Sequence, residues 1–242
     1  MTNIDMQTDK KALKLFKLDW DDPRPQRAYE MIEFSKHQHC PFLVQLYSYQ
    51  KFKSSKNKEF GGVIMEFIEG ISGKKYDYSN LSKDMILKLI ESLLEGLLCL
   101  HRNEKFHFDF KPENFINGPS HPVIIDIENA MSAKEASALN FFFHSAAFSP
   151  PDYETTLEKL ATQKEKEGFM RKWDSFSFGQ TMCFILMKWK KVEFQKHPTR
   201  EQCENIPIEK FVLDLMKNLM DIDFTKRMDL EVLKKNFKVF HD

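Results

Sequence analysis

Residues 107–114 read His107-Phe108-Asp109-Phe110-Lys111-Pro112-Glu113-Asn114. Upstream of this octet, Ile86, Ile90, Leu93, Leu97 and Leu100 recur every three or four residues behind Ser82, with Asp84 in the first turn. That spacing and cap predict a long, deeply packed helix ending near Leu100. Downstream, Val123-Ile124-Ile125 predicts a short buried strand that ends at Asp126. The octet is therefore expected to be a tight loop between a helix and a strand. In such a loop an Asp, a Lys two residues on and an Asn five residues on can converge. The carboxylate of Asp109 can accept a proton from a hydroxyl, and Lys111 can neutralise a phosphate. The amide oxygen of Asn114 and the carboxylate of Asp126 are hard donors of the kind Mg²⁺ takes. His107 is expected to be a packed histidine that holds the loop.

Working outward, Lys11 to Leu18 reads as a short strand, with Asp21, Asp22 and Pro23 as helix-start signals. A helix carrying Ala28, Ile32 and Phe34 runs to about His37. Phe42–Phe52 and Gly61–Phe67 read as two strands joined by a hairpin-like loop at Lys53–Lys58. Gly70 to Ser79 reads as a polar loop. Lys172–Trp189, Ile208–Met220 and Asp229–Asn236 read as further helices. Three or four early strands followed by helices predict an α+β chain, a small sheet lobe ahead of a helical lobe. The expected organisation is one domain over 1–242, divided at about 68/69.

Composition narrows the function classes. The chain has 242 residues, 42% hydrophobic and 30% charged, which suits a folded domain and excludes a collagen-like or wholly disordered chain. Lys and Arg number 36 and so do Asp and Glu, so no global basic field is available for nucleic acid or an acidic membrane. Lys51 to Lys58 is expected to be a solvated loop. No run of about 18 apolar residues is present, so no membrane span is expected. Met1 to Lys11 carries no apolar signal-peptide core, which points to the cytoplasm, although a secreted effector would read alike. Cys40, Cys99, Cys183 and Cys203 lie far apart without a CxxC pair, so free thiols in a reducing compartment are expected. Cys40 sits beside His37 and His39, but no second cluster follows at zinc spacing. No oligomer is indicated.

The octet resembles the catalytic loop HRDLKPEN of the protein-kinase family, differing only where Phe108 and Phe110 replace Arg and Leu. Four later segments follow in family order. Asp126-Ile127-Glu128 stands where the metal-binding DFG belongs, and Phe148-Ser149-Pro150-Pro151-Asp152 resembles the close of the activation segment. Asp174-Ser175-Phe176-Ser177-Phe178-Gly179 resembles DxWSxG. Asp223-Phe224-Thr225-Lys226-Arg227 resembles the late segment whose arginine pairs with an acid, here Asp152. The resemblance covers about residues 11–240. It implies a two-lobed kinase fold using ATP and Mg²⁺ or Mn²⁺, with Asp109 and Lys111 catalytic and Asn114 and Asp126 on the metal.

Upstream, Lys11-Ala12-Leu13-Lys14 resembles VAIK, so Lys14 would hold the α and β phosphates and pair with Glu30, or less favourably Glu33. Met65 would be the gatekeeper. Backbone groups of Glu66 and Ile68 would meet the adenine, and Ala12 and Ile116 would sandwich it. Ser145, three residues before Phe148, together with Lys111 favours Ser/Thr over Tyr substrates. Asp174 is expected to be a buried acceptor for catalytic-loop N–H groups. The triplet Phe141–Phe143 is expected to be a docking patch of the segment.

Three departures stand out. Thirteen residues precede Lys14 and none is Gly, so the Gly-rich phosphate hairpin of the family is missing from this sequence. Phe108 replaces the arginine that meets an activation-loop phosphate. Ile127-Glu128 replaces Phe-Gly and puts a carboxylate near the metal site. The implied activity is Ser/Thr protein kinase with a protein substrate. The alternatives are a pseudokinase that binds nucleotide or a partner and, less favoured, a small-molecule kinase.

Overall fold

The protein is described by a computed structural model over residues 10–18, 23–56, 58–138, 144–151, 153–194 and 196–237. Asp21, Asp22, Phe141–Phe143 and Asp152 lie outside these residues, and so do the expectations placed on them.

The chain opens with strand β1 (Lys11–Lys17), helix α1 (Arg24–His37) and strands β2 (Leu46–Lys53) and β3 (Glu59–Glu66). The strands form an antiparallel sheet in the order β1-β3-β2, with Lys14 opposite Val63 and Ala12 opposite Met65. Side chains alternate across β1: Ala12, Lys14 and Phe16 are half-buried while Leu13 and Leu15 are exposed. The period of two thus turns Lys14 toward the protein. α1 packs against β2 and against the turn that follows Asp126.

A second, smaller sheet holds the strand that lies directly after the loop 107–114. It pairs β4 (Ile71–Ser72), β5 (Phe115–Asn117) and β6 (Pro122–Ile124) in that order, all antiparallel. Between β4 and β5 runs α2 (Lys83–His101), the helix expected from the Ile86-to-Leu100 stripe. Its N-cap Ser82 Oγ accepts the N–H of Met85. Gly96 lets α2 lie close on β6, because a Cβ there would stand 2.7 Å from Ile124 Cδ1 and 3.1 Å from Phe42 O. Backbone bonds tie the first sheet region to the second: Val44 N–H donates to Ile124 O and Ile124 N–H to Phe42 O.

The remainder is helical: α3 (Ala133–Ala138), α4 (Tyr153–Lys159), α5 (Gln163–Arg171), α6 (Trp173–Trp189), α7 (Arg200–Glu204), α8 (Lys210–Leu219) and α9 (Leu230–Phe237). Every residue of α6 from Trp173 to Met187 is buried. An all-round buried helix is the axis of a core rather than an amphipathic surface element. Gly179 lets it approach the end of α8, since a Cβ there would lie 2.8 Å from Met220 Cγ and 2.9 Å from Leu219 Cβ. The architecture is α+β, a small sheet region followed by helices.

Two expectations are corrected. The segment Gly70–Ser79 is not merely a polar loop: it contributes β4, and Tyr78 is fully buried with its hydroxyl donating to Gly73 O at 2.8 Å. The four cysteines are not free thiols. Cys40 pairs with Cys99 and Cys183 with Cys203, across 59 and 20 residues. No local spacing announces these pairs, because tertiary packing brings their Cα atoms to 6.5 and 5.4 Å. The cysteines therefore give no support to a reducing compartment, since disulfides persist in oxidising ones. No helix among the described residues is long and apolar enough to cross a membrane.

Candidate active site

The loop 107–114 is held from beneath by one buried carboxylate. Asp174, at the start of α6, accepts the backbone N–H of His107 (2.7 Å), that of Phe108 (2.8 Å) and a contact from His101 Nε2 (2.9 Å). Burial alone would raise the Asp174 pKa. The bond and charge of His101 and the N–H donors outweigh it, so the carboxyl sits below its ordinary range. Phe108 adopts a left-handed backbone (φ 60°) and is buried against Trp173 and Phe106. An apolar ring thus fills the position where the family places an arginine. His107 contacts Ile125 O through Nε2 (3.1 Å), while the N–H of Asp109 donates to its Nδ1 (3.3 Å). Both contacts are satisfied by a neutral ring with its proton on Nε2. His107 therefore packs and orients the loop, as expected.

The expected convergence is present. Lys111 Nζ donates to Asp109 Oδ2 (2.6 Å) and to Ser145 Oγ (2.5 Å). Asn114 Nδ2 donates to the Asp109 carbonyl (2.9 Å) and to Oδ2 (3.2 Å). Asp109 Oδ1 is buried and has no hydrogen-bond partner among the described residues. Asn114 closes a 3-10 turn (Pro112–Asn114), and its carbonyl accepts the N–H of Ile125, next to Asp126. Asp126 is itself left-handed (φ 64°), a conformation that Asp tolerates better than most residues. Non-glycine residues held in this region cluster at functional sites. Asp109, Asn114 and Asp126 line one cavity together with Arg27 of α1 and Asn129.

Lys14 reaches the same place from β1, with Nζ 2.7 Å from Asp126 Oδ1 and 2.5 Å from Glu128 Oε1. Burial would lower the lysine pKa; the charges of Glu128 and Asp126 outweigh it, and the pKa is raised. The expected partnership with α1 is not formed. Glu30 is bound by Lys105 (3.4 Å) and by Gln26 (3.1 Å), and Glu33 by Lys36 (2.6 Å). The face that α1 presents is set by its packing on β2 and cannot be read from the spacing of its glutamates.

The remaining expected positions lie on the surrounding backbone. Met65 is buried at the end of β3 beside Ala12. The N–H of Glu66 donates to Gln45 O, and its carboxylate accepts the N–H of Gln45. Ile68 is half-buried in the link that follows, and Ile116 sits in β5 opposite Ser72 and Val123. Sequence reasoning did not assign Arg27 to the site. Its position one turn before Glu30 is the only signal that could have suggested it. Nor did that reasoning pair Glu128 with Lys14; it read that carboxylate as able to bind a second Mg²⁺ or to disfavour ATP.

The protein kinase domain model matches residues 4–237. A probable serine/threonine-protein kinase of Lactococcus lactis, PknB, is 26% identical over 132 residues, 52% of this chain and 20% of that protein. A probable serine/threonine-protein kinase of Dictyostelium discoideum is 35% identical over 86 residues, 35% of this chain and 12% of its own length. A third, from Bifidobacterium longum, is 29% identical over 120 residues, 46% and 15% of the two chains. The matches thus span at most a fifth of these relatives' length. With the family model matching nearly the whole sequence, and with the loop, turn and buried aspartate arranged as above, the chain belongs to the protein kinase family.

Proposed function

We propose that this chain transfers the γ-phosphoryl group of ATP to serine or threonine hydroxyls of proteins. One observation carries the reading: the orphaned Oδ1 of Asp109 stands beside a lysine that bridges Asp109 and Ser145. In this reading Asp109 Oδ1 orients the substrate hydroxyl and accepts its proton. Lys111 stabilises the charge on the transferring group, and Ser145 holds Lys111 from the activation-segment side. Lys14 binds the nucleotide phosphates. Ala12, Met65, Ile68 and Ile116 would enclose the adenine, and backbone groups of Glu66 and Ile68 would bond it. The work is mostly positioning and electrostatics.

The residues fit a divalent cation. Asn114 and Asp126 offer hard oxygen donors, and no group of three or more His, Cys, Asp or Glu among the described residues makes a protein cage. That suits Mg²⁺, which takes one or two protein oxygens and completes its shell from phosphates and water. Asn114 and Asp126 would hold Mg²⁺ or Mn²⁺, whose charge would offset that of the phosphates.

A second reading, nucleotide or partner binding without transfer, is favoured by the engagement of Lys14 with Asp126 and Glu128. The two are separated by radiolabelled ATP with Mg²⁺ or Mn²⁺, offered with generic protein substrates and with the chain itself. Transfer that Asp109→Ala and Asp126→Ala both abolish is the expected result. Transfer that survives in Asp109→Ala would refute the role given to that carboxylate. No transfer, with nucleotide still raising the Tm, would select the second reading.

A further inference from the structure

We propose that Glu128, rather than a glutamate of α1, is the positioning residue that fixes Lys14. The inference rests on the reading of Lys14 as the phosphate-binding lysine, but the ion pair itself is testable without nucleotide.

Three observations carry it. First, Lys14 Nζ contacts Glu128 Oε1 at 2.5 Å, while both glutamates of α1 that could compete are engaged elsewhere, Glu30 by Lys105 and Gln26 and Glu33 by Lys36. Second, the Glu128 side chain is 2% exposed, whereas those of Lys14 and Asp126 are 34% and 31% exposed. A carboxylate buried to that degree needs a cationic partner, and removing the partner leaves an uncompensated charge. Third, Glu128 lies on the 3-10 turn Ile127–Asn129 directly after Asp126, and its neighbour Ile127 is fully buried. The anchor of Lys14 is therefore part of the segment that carries Asp126.

Of the two carboxylates on Lys14, Asp126 is the one free to exchange. A phosphate oxygen can replace Asp126 on the ammonium while Glu128 holds the side chain in place. Lys14 is then aimed by the turn after Asp126, whatever position α1 takes. The Gly of the family pattern cannot do this, having no side chain. Glu128 at that place supplies the counter-charge from within the turn.

The test is a pair of double-mutant cycles read by urea unfolding without nucleotide: Lys14→Met with Glu128→Gln, and Lys14→Met with Glu30→Gln. Glu128→Asp, which keeps the charge, is a third variant should Glu128→Gln fail to fold. The first cycle should be non-additive, the double variant regaining part of the midpoint lost in Lys14→Met, while the second should be additive. Additivity in the first cycle, or coupling in the second, would overturn the assignment.

Binding of a fluorescent ATP analogue with Mg²⁺ gives the functional arm. Glu128→Gln should weaken it by about tenfold, the scale of one lost charge-assisted bond. Glu128→Asp should restore part of the loss, and Glu30→Gln should leave the affinity in place. The reverse ranking of Glu128→Gln and Glu30→Gln would refute the proposal. Coupling in the first cycle in a chain that takes no nucleotide would uphold Glu128 as the partner of Lys14 and sink the kinase reading instead.

Discussion

Asp174 offers the sharpest test of how the loop 107–114 is held. Its carboxylate accepts two backbone N–H groups, from His107 and Phe108, and meets the ring of His101, all at 2.7–2.9 Å and with no exposure to solvent. In Asp174→Ala both backbone donors are left buried without acceptors. An orphaned buried donor costs about 1–3 kcal/mol, so the pair should cost about 2–6 kcal/mol. That is a large part of the roughly 5–15 kcal/mol by which a domain is stable. Asp174→Asn keeps one acceptor oxygen and turns an NH₂ group toward the other donor, so it should lose about half as much. The loss has a second consequence. Phe108 stands at φ 60°, which costs a non-glycine residue about 1–2 kcal/mol, and the bond from its N–H helps to keep it there. The assay is equilibrium urea unfolding with linear extrapolation. The sign with pH follows as well. The folded Asp174 carboxyl lies below its unfolded value, so its contribution is complete above the ordinary carboxylate range and is lost as pH falls through the folded pKa. The wild type should therefore lose stability in acid more steeply than Asp174→Asn. A variant Asp174→Asn within about 0.5 kcal/mol of wild type would refute the reasoning, because such values mark sites away from any structural feature.

Two further outcomes are expected. All four cysteines should resist thiol reagents in the native chain; reduction should lower the urea midpoint, with loop-closure entropy giving about 4 kcal/mol for the Cys40–Cys99 link and about 3 kcal/mol for Cys183–Cys203. Free thiols in freshly purified, unreduced protein would contradict the pairing. Gly179→Ala should destabilise by about 1–3 kcal/mol through overpacking, because its Cβ would meet Met220 Cγ at 2.8 Å and Leu219 Cβ at 2.9 Å. A neutral or stabilising effect in thermal unfolding would show that α6 and α8 can move apart at no cost.

The parts of the fold that sequence reading finds are those whose information is local. The stripe from Ile86 to Leu100 repeats at the helical period and is capped by Ser82, so α2 needs no tertiary knowledge to be seen. The same holds for the loop 107–114, where the chemistry of Asp109, Lys111 and Asn114 lies within six residues. Very short elements made only by long-range pairing are not visible in this way. β4 and β5 are two and three residues long and exist because Ile71 and Ser72 find Asn117 and Ile116. Tyr78 looks like part of a polar loop until Gly73 O accepts its hydroxyl in the core. The partner of Lys14 fails for a related reason. The sequence points to Glu30, or less favourably Glu33, and only the rotation of α1 and the burial of the turn after Asp126 bring Glu128 to Lys14 instead.

The Cys40–Cys99 bond has a mechanical consequence. It joins the segment that follows α1 to the C-terminal half of α2, while the chain itself crosses from β3 to β4 through residues 67–70. The residues before 67 and those after 70 are thus joined covalently twice, once by the backbone and once by the disulfide. Cleavage of the chain within residues 67–70 would therefore leave its two pieces joined through sulfur until the bond is reduced.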